Sequence, residues 1–336
     1  EFTMKKCTMQ DIADELNISR VSVWKVFNNQ AGVSESLKKS VYQTARKMGY
    51  SKIPEEKTLV KNKTVALVVS RPDSSIFWTS IIHDLSLKLS SIDLTLAYVS
   101  IPTTYTEGYT LPENFNTTNF DGAIILNIYD SQLLKMISDV KLPKVYLDTT
   151  TDISVDELKG DLLIIEGIDT VKKITSHLIE DRQCKKIGFI GDISYAKTNY
   201  DRFCGYKMAL EDHGISLDKK YCLTDNIGIY DYSSMISRFL DSLPALPDAF
   251  VCASDYVVQF VYEYLSVHGD FDREKIIITG FDGTSEYPSI TNKITTAYVD
   301  TTSLGIRLAE QIEYRMSNPM SPLEVTYLYQ KVMFKD

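Results

Sequence analysis

The 336-residue sequence predicts two differently built parts, an all-α helix-turn-helix head and an α/β body of two doubly wound parallel-sheet lobes. Three observations carry that expectation. Capping residues punctuate three short amphipathic segments between Thr8 and Tyr50. Beyond Thr64, short β-branched runs alternate with helical segments, the pattern of βαβ units. Charge is divided between the parts: residues 1–63 hold 12 Lys and Arg against 7 Asp and Glu, a surplus of +5 that leaves −14 on the rest of a chain whose net charge is −9. A basic head on an acidic body fits a molecule that meets phosphate with one end.

Glu1, Phe2 and Thr3 precede Met4 and read as a cloning remnant (1–3), so the head is set at 4–50. Thr8 is placed to N-cap a first helix with Asp11 at N3, and Ile12, Ala13 and Leu16 share one face. Asn17 and Ile18 end it. Ser19 caps a second helix, Arg20 to Asn28, with Ile18 and Val23 at the spacing of a hydrophobic staple. Ser34 opens a third helix, in which Leu37, Val41, Ala45 and Met48 form one apolar stripe that Gly49 stops. This is the helix-turn-helix layout, whose second helix enters the major groove. Arg20, Ser22 and Lys25 face outward on it while Val23, Val26 and Phe27 can turn inward. A helical bundle that binds nothing is the plainer alternative.

Residues 51–63, polar, charged and proline-bearing, read as a hinge or linker, with Leu59 the conspicuous apolar residue. The body, 64–336, contains at least nine strand-like runs: TVALVVS, TLAYVS, GAIILNI, KVYLD, LLII, KIGFIG, AFVCAS, KIIITGF and TTAYV. Nine are many for one open sheet, so two lobes with a cleft between them are expected.

The five cysteines (Cys7, Cys184, Cys204, Cys222, Cys252) are odd in number and form no close pair, which points away from a disulfide framework or a C-x-x-C site and toward a reducing cytoplasm. No signal peptide precedes Met4 and no apolar run approaches membrane-span length, so no membrane partner is expected. His83, His177, His213 and His268 lack ligand spacing, and no G-x-G-x-x-G, P-loop or G-x-S-x-G occurs. No catalytic residue, metal or cofactor is therefore assigned. An enzyme on an α/β fold is the rival from another class, and a transport-type sugar receptor a third reading.

In doubly wound sheets, ligands lie beyond the carboxyl ends of the strands. The residues there are Ser70 and Arg71, Asp148, Asp192, Ser254 and Asp255, Asp282 and Asp300. Several carboxylates with an arginine and aromatic rings suit a polyhydroxylated ligand such as a sugar. Any one of these aspartates could instead cap the following helix.

With both parts read, the sequence resembles the LacI family of bacterial transcription regulators from Met4 onward. The resemblance lies in IADELNISRVSVWKVFN with VSESLKKSVYQTARKMGY, then FDGAII, PKVYLD, KKIGFIGD with DRFCGYKMAL, DAFVCASD, ITGFDG and ITTAYVD, all in the family's order. It implies a periplasmic-binding-protein-like body whose chain passes three times between lobes, with an N-lobe of about 64–161 and 292–320 and a C-lobe of about 162–291 and 321–336. It also implies a homodimer whose two heads reach a palindromic operator in double-stranded DNA. Arg20, Val21 and Lys25 match base-reading positions, and Thr8, Ser19, Ser22, Asn28, Ser34 and Tyr50 match positions that touch phosphate. Trp24-Lys25 stands where most of the family has Ser-Arg, and lysine lacks arginine's bidentate fork to guanine, so operator sequence does not transfer. Trp24 is placed either in the head's core or against backbone sugar. Leu59 matches a leucine that wedges into the minor groove, but Glu56 stands where the hinge helix usually carries alanine, and Glu55 precedes it. In the body, Asp148, Arg202, Asp255 and Asp282 match effector contacts, with Phe77 and Tyr232 as stacking surfaces beside Arg71. The implied function is a repressor-type regulator controlled allosterically by a sugar or sugar derivative. A purine or nucleoside effector and a protein corepressor are the alternatives.

Overall fold

A computed structural model of the chain describes residues 7–28, 30, 32–50, 52–53, 63–267 and 276–335. Leu59, Glu55, Glu56 and His268 lie outside the described residues, and with them the expected hinge helix. The chain forms two compact units, residues 1–62 and 63–336.

The first unit contains helices α1 (Met9–Glu15), α2 (Arg20–Phe27) and α3 (Glu35–Lys47). Their ends follow from local chemistry. Thr8 and Asp11 close a reciprocal capping box: the Asp11 amide donates to Thr8 Oγ1 at 3.3 Å, and the Thr8 amide to Asp11 Oδ2 at 2.7 Å. Ser19 Oγ accepts from the Ser22 amide at 3.0 Å and Ser34 Oγ from the Leu37 amide at 3.2 Å. Asn17, at φ 53°, turns the chain out of α1 in the left-handed region that Asn tolerates. Ile12, Ala13, Val23, Val26, Phe27, Val41, Tyr42 and Ala45 make one buried core, with the Tyr50 ring stacked on Phe27 at 5.5 Å.

The second unit runs β1 (Thr64–Val69), α4 (Ile76–Ser91), β2 (Thr95–Ser100), β3 (Gly122–Leu126), α5 (Ser131–Asp139), β4 (Lys144–Leu147), α6 (Val155–Leu158), β5 (Asp161–Ile165), α7 (Ile168–Glu180), β6 (Ile187–Ile190) and α8 (Lys197–Asp212). It continues through β7 (Cys222–Leu223), α9 (Tyr232–Ser242), β8 (Ala249–Cys252), α10 (Asp255–Val267), β9 (Ile277–Asp282), β10 (Thr295–Tyr298), α11 (Thr301–Ser317), β11 (Val325–Leu328) and β12 (Lys331–Met333). These make two six-stranded sheets, ordered β11-β5-β4-β3-β1-β2 and β12-β10-β9-β8-β6-β7, with the same topology. All pairings are parallel except β10 with β12. Val68 opposite Ile125 and Val251 opposite Thr279 set the register at the two sheet centres. Strands β3, β4, β5, β6 and β8 are buried at every position, which is why their sequences are apolar almost throughout.

The lobe boundaries differ from those expected. Residues 162–165, assigned by sequence to the C-lobe, belong to β5, which pairs with β4 with Leu147 opposite Leu163, so the N-lobe continues to residue 165. Strand β10 pairs with β9, so 295–298, expected in the N-lobe, lie in the C-lobe, and β11 pairs with β5, so 325–328, expected in the C-lobe, lie in the N-lobe. The chain crosses between lobes three times, near 166–167, 299–300 and 329–330. Long-range bonding decides this. The Asp161 carboxylate accepts from Arg315 Nε at 2.9 Å and Nη2 at 2.6 Å, from Gln311 Nε2 at 2.7 Å and from the Glu324 amide at 3.0 Å. One buried acid thus ties β5, α11 and the approach to β11 together.

Helices α7 and α8 approach closely because Gly205 permits it. A Cβ there would lie 2.2 Å from the Ile168 carbonyl oxygen, so no larger residue fits without separating the two helices.

Candidate functional site

On the head, α2 turns Val23, Val26 and Phe27 into the core and leaves Arg20 and Val21 exposed, with Lys25 half-buried at the same surface. Trp24 is 47 % exposed and outside the core, which removes the packing alternative for its ring. Ser19 and Ser34 each cap a helix whose first turn presents backbone amides, an arrangement that favours phosphate. The hydroxyl of Ser22 meets that of Ser19 at 2.9 Å. Asn28 donates its side-chain amide to the Trp24 carbonyl at 2.9 Å, closing α2. The oxygens of Thr8, Ser19 and Ser34 therefore have a structural role that a phosphate contact would share.

In the body, a cavity of about 220 Å3 lies between the lobes at the carboxyl ends of both sheets. Its floor is the point where strand order reverses between β1 and β3, where ligands settle in such sheets. There Ser70 Oγ donates to the Asn127 carbonyl at 2.6 Å and Asn127 Nδ2 returns to the Ser70 carbonyl at 3.2 Å. Arg71, Phe77, Asp148, Arg202, Tyr232 and Asp282 all line the cavity.

Asp255 does not. It opens α10 with its side chain turned away, Oδ2 accepting from the Thr284 amide at 3.0 Å and Oδ1 from Thr296 Oγ1 at 2.9 Å. It braces the turn after β9 that carries Asp282. Asp192 is similarly internal: it accepts from the amides of Ser194, Tyr195 and Ile227, holding two cavity loops together. Asp300 caps α11 through the Ser303 amide at 3.1 Å.

Arg202 sits on α8, 5 % exposed, with its guanidinium 3.7 Å from the Phe281 ring centre. It donates to the Ala253 carbonyl and lies 3.8 Å from Asp282, while its Nε has no partner among the described residues. A buried guanidinium in the cavity wall, bonded to one backbone carbonyl and close to one acid, places a fixed positive charge beside the cavity. Asp148, at φ 64° on the N-lobe, reaches across the cleft to the first turn of α8, where Thr198 Oγ1 donates to it at 2.5 Å and the Thr198 amide at 3.3 Å. The Lys197 amide donates back to the Thr149 carbonyl at 2.7 Å. On the other side of the cleft, the Ile76 amide at the start of α4 donates to Glu286 Oε2 at 3.0 Å. These bonds clasp the lobes around the cavity.

Sequence reasoning missed most of the aromatic wall: Trp78, Tyr129, Tyr195, Tyr256 and Tyr287. Tyr129 and Tyr195 meet across the cleft at 4.5 Å, and Tyr256 sits 5.2 Å from Tyr232. Tyr129 and Tyr195 stand three and five residues past strand ends, beyond the one or two positions inspected, so a longer window would have found them.

Burial raises the Asp148 carboxyl to about 6, against the hydrogen bonds of Thr198 and Thr149 and the charge of Arg202. Burial likewise raises Asp255 and Asp282, the latter also through neighbouring Asp255 and Glu286. Folded, these acids keep protons that the unfolded chain has released above about pH 4, so their contribution is greatest below that pH and is lost as pH rises toward 7. The thermal midpoint of the ligand-free chain is expected to be several degrees higher at about pH 5 than at about pH 7.5. A flat or rising midpoint in calorimetry across that interval contradicts the burial of these acids.

Residues 175–335 match the model of a periplasmic binding protein-like domain family. The chain is 24 % identical over 316 residues to the HTH-type transcriptional regulator RegA of Clostridium saccharobutylicum, covering 89 % of each. It is 23 % identical over 326 residues to the HTH-type transcriptional regulator CelR of Thermobifida fusca, covering 93 % of each. The chain thus resembles HTH-type transcriptional regulators over most of its length. Among solved structures it shares its fold with a CelR–cellobiose complex (TM-score 0.69, 20 % identity, 98 % of both chains). It also shares it with a lac repressor dimer bound to operator and an anti-inducer (TM-score 0.66, 16 % identity, 98 % of both chains). The shared fold takes in both compact units of this chain.

Proposed function

We propose that this chain is a homodimeric, operator-binding repressor controlled by a sugar or sugar derivative bound between its lobes. The observation that carries the reading is the cleft. Aromatic rings, three acidic side chains and the Arg202 guanidinium converge at the switch point of two sheets. Hydroxyls need fixed donors and acceptors, and the C–H faces of a pyranose need rings to lie against. Relatives support it too, since a solved CelR structure holds cellobiose and one from Enterococcus faecium holds ribose.

In this reading Arg20, Val21 and Lys25 read bases, and Thr8, Ser19, Ser22, Asn28, Ser34 and Tyr50 hold phosphate, with Leu59 assigned to the minor groove. Arg202, Asp282, Asp148 and Arg71 hold the effector's polar groups, and Phe77 and Tyr232 its faces. Ligand bound to both lobes favours one lobe orientation over the other, and DNA affinity follows that population. A thermal-shift screen of monosaccharides, disaccharides and nucleosides tests the ligand class. A true effector at 100 times its dissociation constant adds about 2.7 kcal/mol of stability, a shift of several degrees. A nucleoside hit with no sugar hit would replace the sugar reading.

A further inference from the structure

We infer that the effector carries a positively charged amine: the cleft is built for an amino sugar whose ammonium group lies against Asp282 and the surrounding tyrosine rings. This rests on the sugar reading above and narrows it.

The balance of charge is the first ground. Asp148, Asp282 and Glu286 line the cavity, and Asp255 acts on Asp282 from behind, whereas the cationic wall residues are Arg71 and Arg202. Arg71 is exposed, where solvent screens it. Arg202 is stacked on Phe281 and bonded to the Ala253 carbonyl, and its 3.8 Å approach to Asp282 exceeds hydrogen-bond range. The interior of the cleft therefore holds more acidic groups than basic ones, acids that a bound cation would draw into their ionised form.

Hydrogen bonding is the second. Asp148 accepts from Thr149 and Thr198, Asp255 from Thr284 and Thr296, and Glu286 from the Ile76 amide. Among the described residues no hydrogen bond reaches either oxygen of Asp282, although its side chain is only 18 % exposed. A carboxyl group so placed ionises at a cost unless a ligand supplies donors, and an ammonium supplies three together with a positive charge in direct contact.

The third is the wall itself. Tyr129, Tyr195, Tyr232, Tyr256, Tyr287 and Trp78 surround the same space, and the negative faces of such rings attract a cation in a way that a neutral hydroxyl does not share. A cavity of 150 Å3 holds one benzene ring, so about 220 Å3 suits a single six-membered ring with its substituents. Together these describe a monosaccharide bearing an amine.

The test is isothermal titration of the full chain at neutral pH with matched probes: D-glucose, D-galactose and D-mannose, their 2-amino-2-deoxy forms, and the neutral N-acetyl derivatives. At least one aminohexose is expected to bind about tenfold or more tightly than both its parent and its N-acetyl form. In Asp282→Asn that preference is expected to shrink to about twofold or less, the variant's folding being checked by its melting transition. If Asp282→Asn does not fold, the wild-type ratios decide alone. A neutral hexose binding as tightly as its amine, or a preference unchanged in Asp282→Asn, overturns the inference while leaving the sugar reading intact. Absence of binding by every probe overturns the inference, and the sugar reading is then decided by the disaccharides and nucleosides of the thermal screen.

Discussion

Arg202→Ala is expected to abolish the thermal shift caused by the effector and to lower the stability of the body by about 3–5 kcal/mol, the cost of removing one partner from a buried charged cluster. The guanidinium stacks on Phe281, bonds to Ala253 and stands between Asp148 and Asp282, so its loss leaves both acids without a compensating charge. Because such a variant can fail through instability alone, Arg202→Lys is its companion. Lysine keeps the charge and loses the planar fork, so this variant is expected to fold and to bind effector roughly 10- to 100-fold more weakly. Thermal unfolding with and without ligand reads both outcomes. An undiminished ligand shift in either variant removes Arg202 from the binding site.

The second large effect is expected on the head. Arg20→Ala and Lys25→Ala should each weaken operator binding by about 1–3 kcal/mol, and the double variant by more than either alone, if both side chains reach base edges. The core of the head should be undisturbed, because Arg20 is exposed and Lys25 lies outside the packed set of Ile12, Val23, Val26, Phe27 and Val41. Gel-shift titration against the operator and against scrambled DNA separates two roles. A base reader loses specific affinity preferentially, whereas a phosphate contact loses both equally and reduces the salt slope by about one. Unchanged operator affinity would dismiss the residue from the interface.

What was legible in the sequence was local. Thr8, Asp11, Ser19, Ser34 and Asn17 act within four residues of themselves, so the ends of α1, α2 and α3 could be placed from spacing alone. Strands buried on both faces announce themselves as unbroken apolar runs, and all nine runs singled out became strands, the mostly exposed edge strand β2 among them; the short β7, β11 and β12, less apolar and partly exposed, did not announce themselves. Sheet membership was not legible, because β5 belongs to the N-lobe through pairing with β4 and through a carboxylate bonded to Arg315, 154 positions away. Side-chain direction was not legible either. Asp255 and Asp282 occupy the same kind of position at a strand's end, yet one is spent on Thr284 and Thr296 and the other faces the cavity. The tyrosines of the wall come from separate loops that only the closed fold brings together.

The most direct test of the central claim is fluorescence anisotropy of a labelled palindromic operator, selected with this chain from a randomised library, titrated with and without the sugar found in the thermal screen. Sequence-specific binding that weakens steeply with salt and changes by about tenfold or more when the sugar is present is the predicted result. Binding no stronger to the selected operator than to scrambled DNA, or an operator affinity that the bound sugar leaves unchanged, would contradict it.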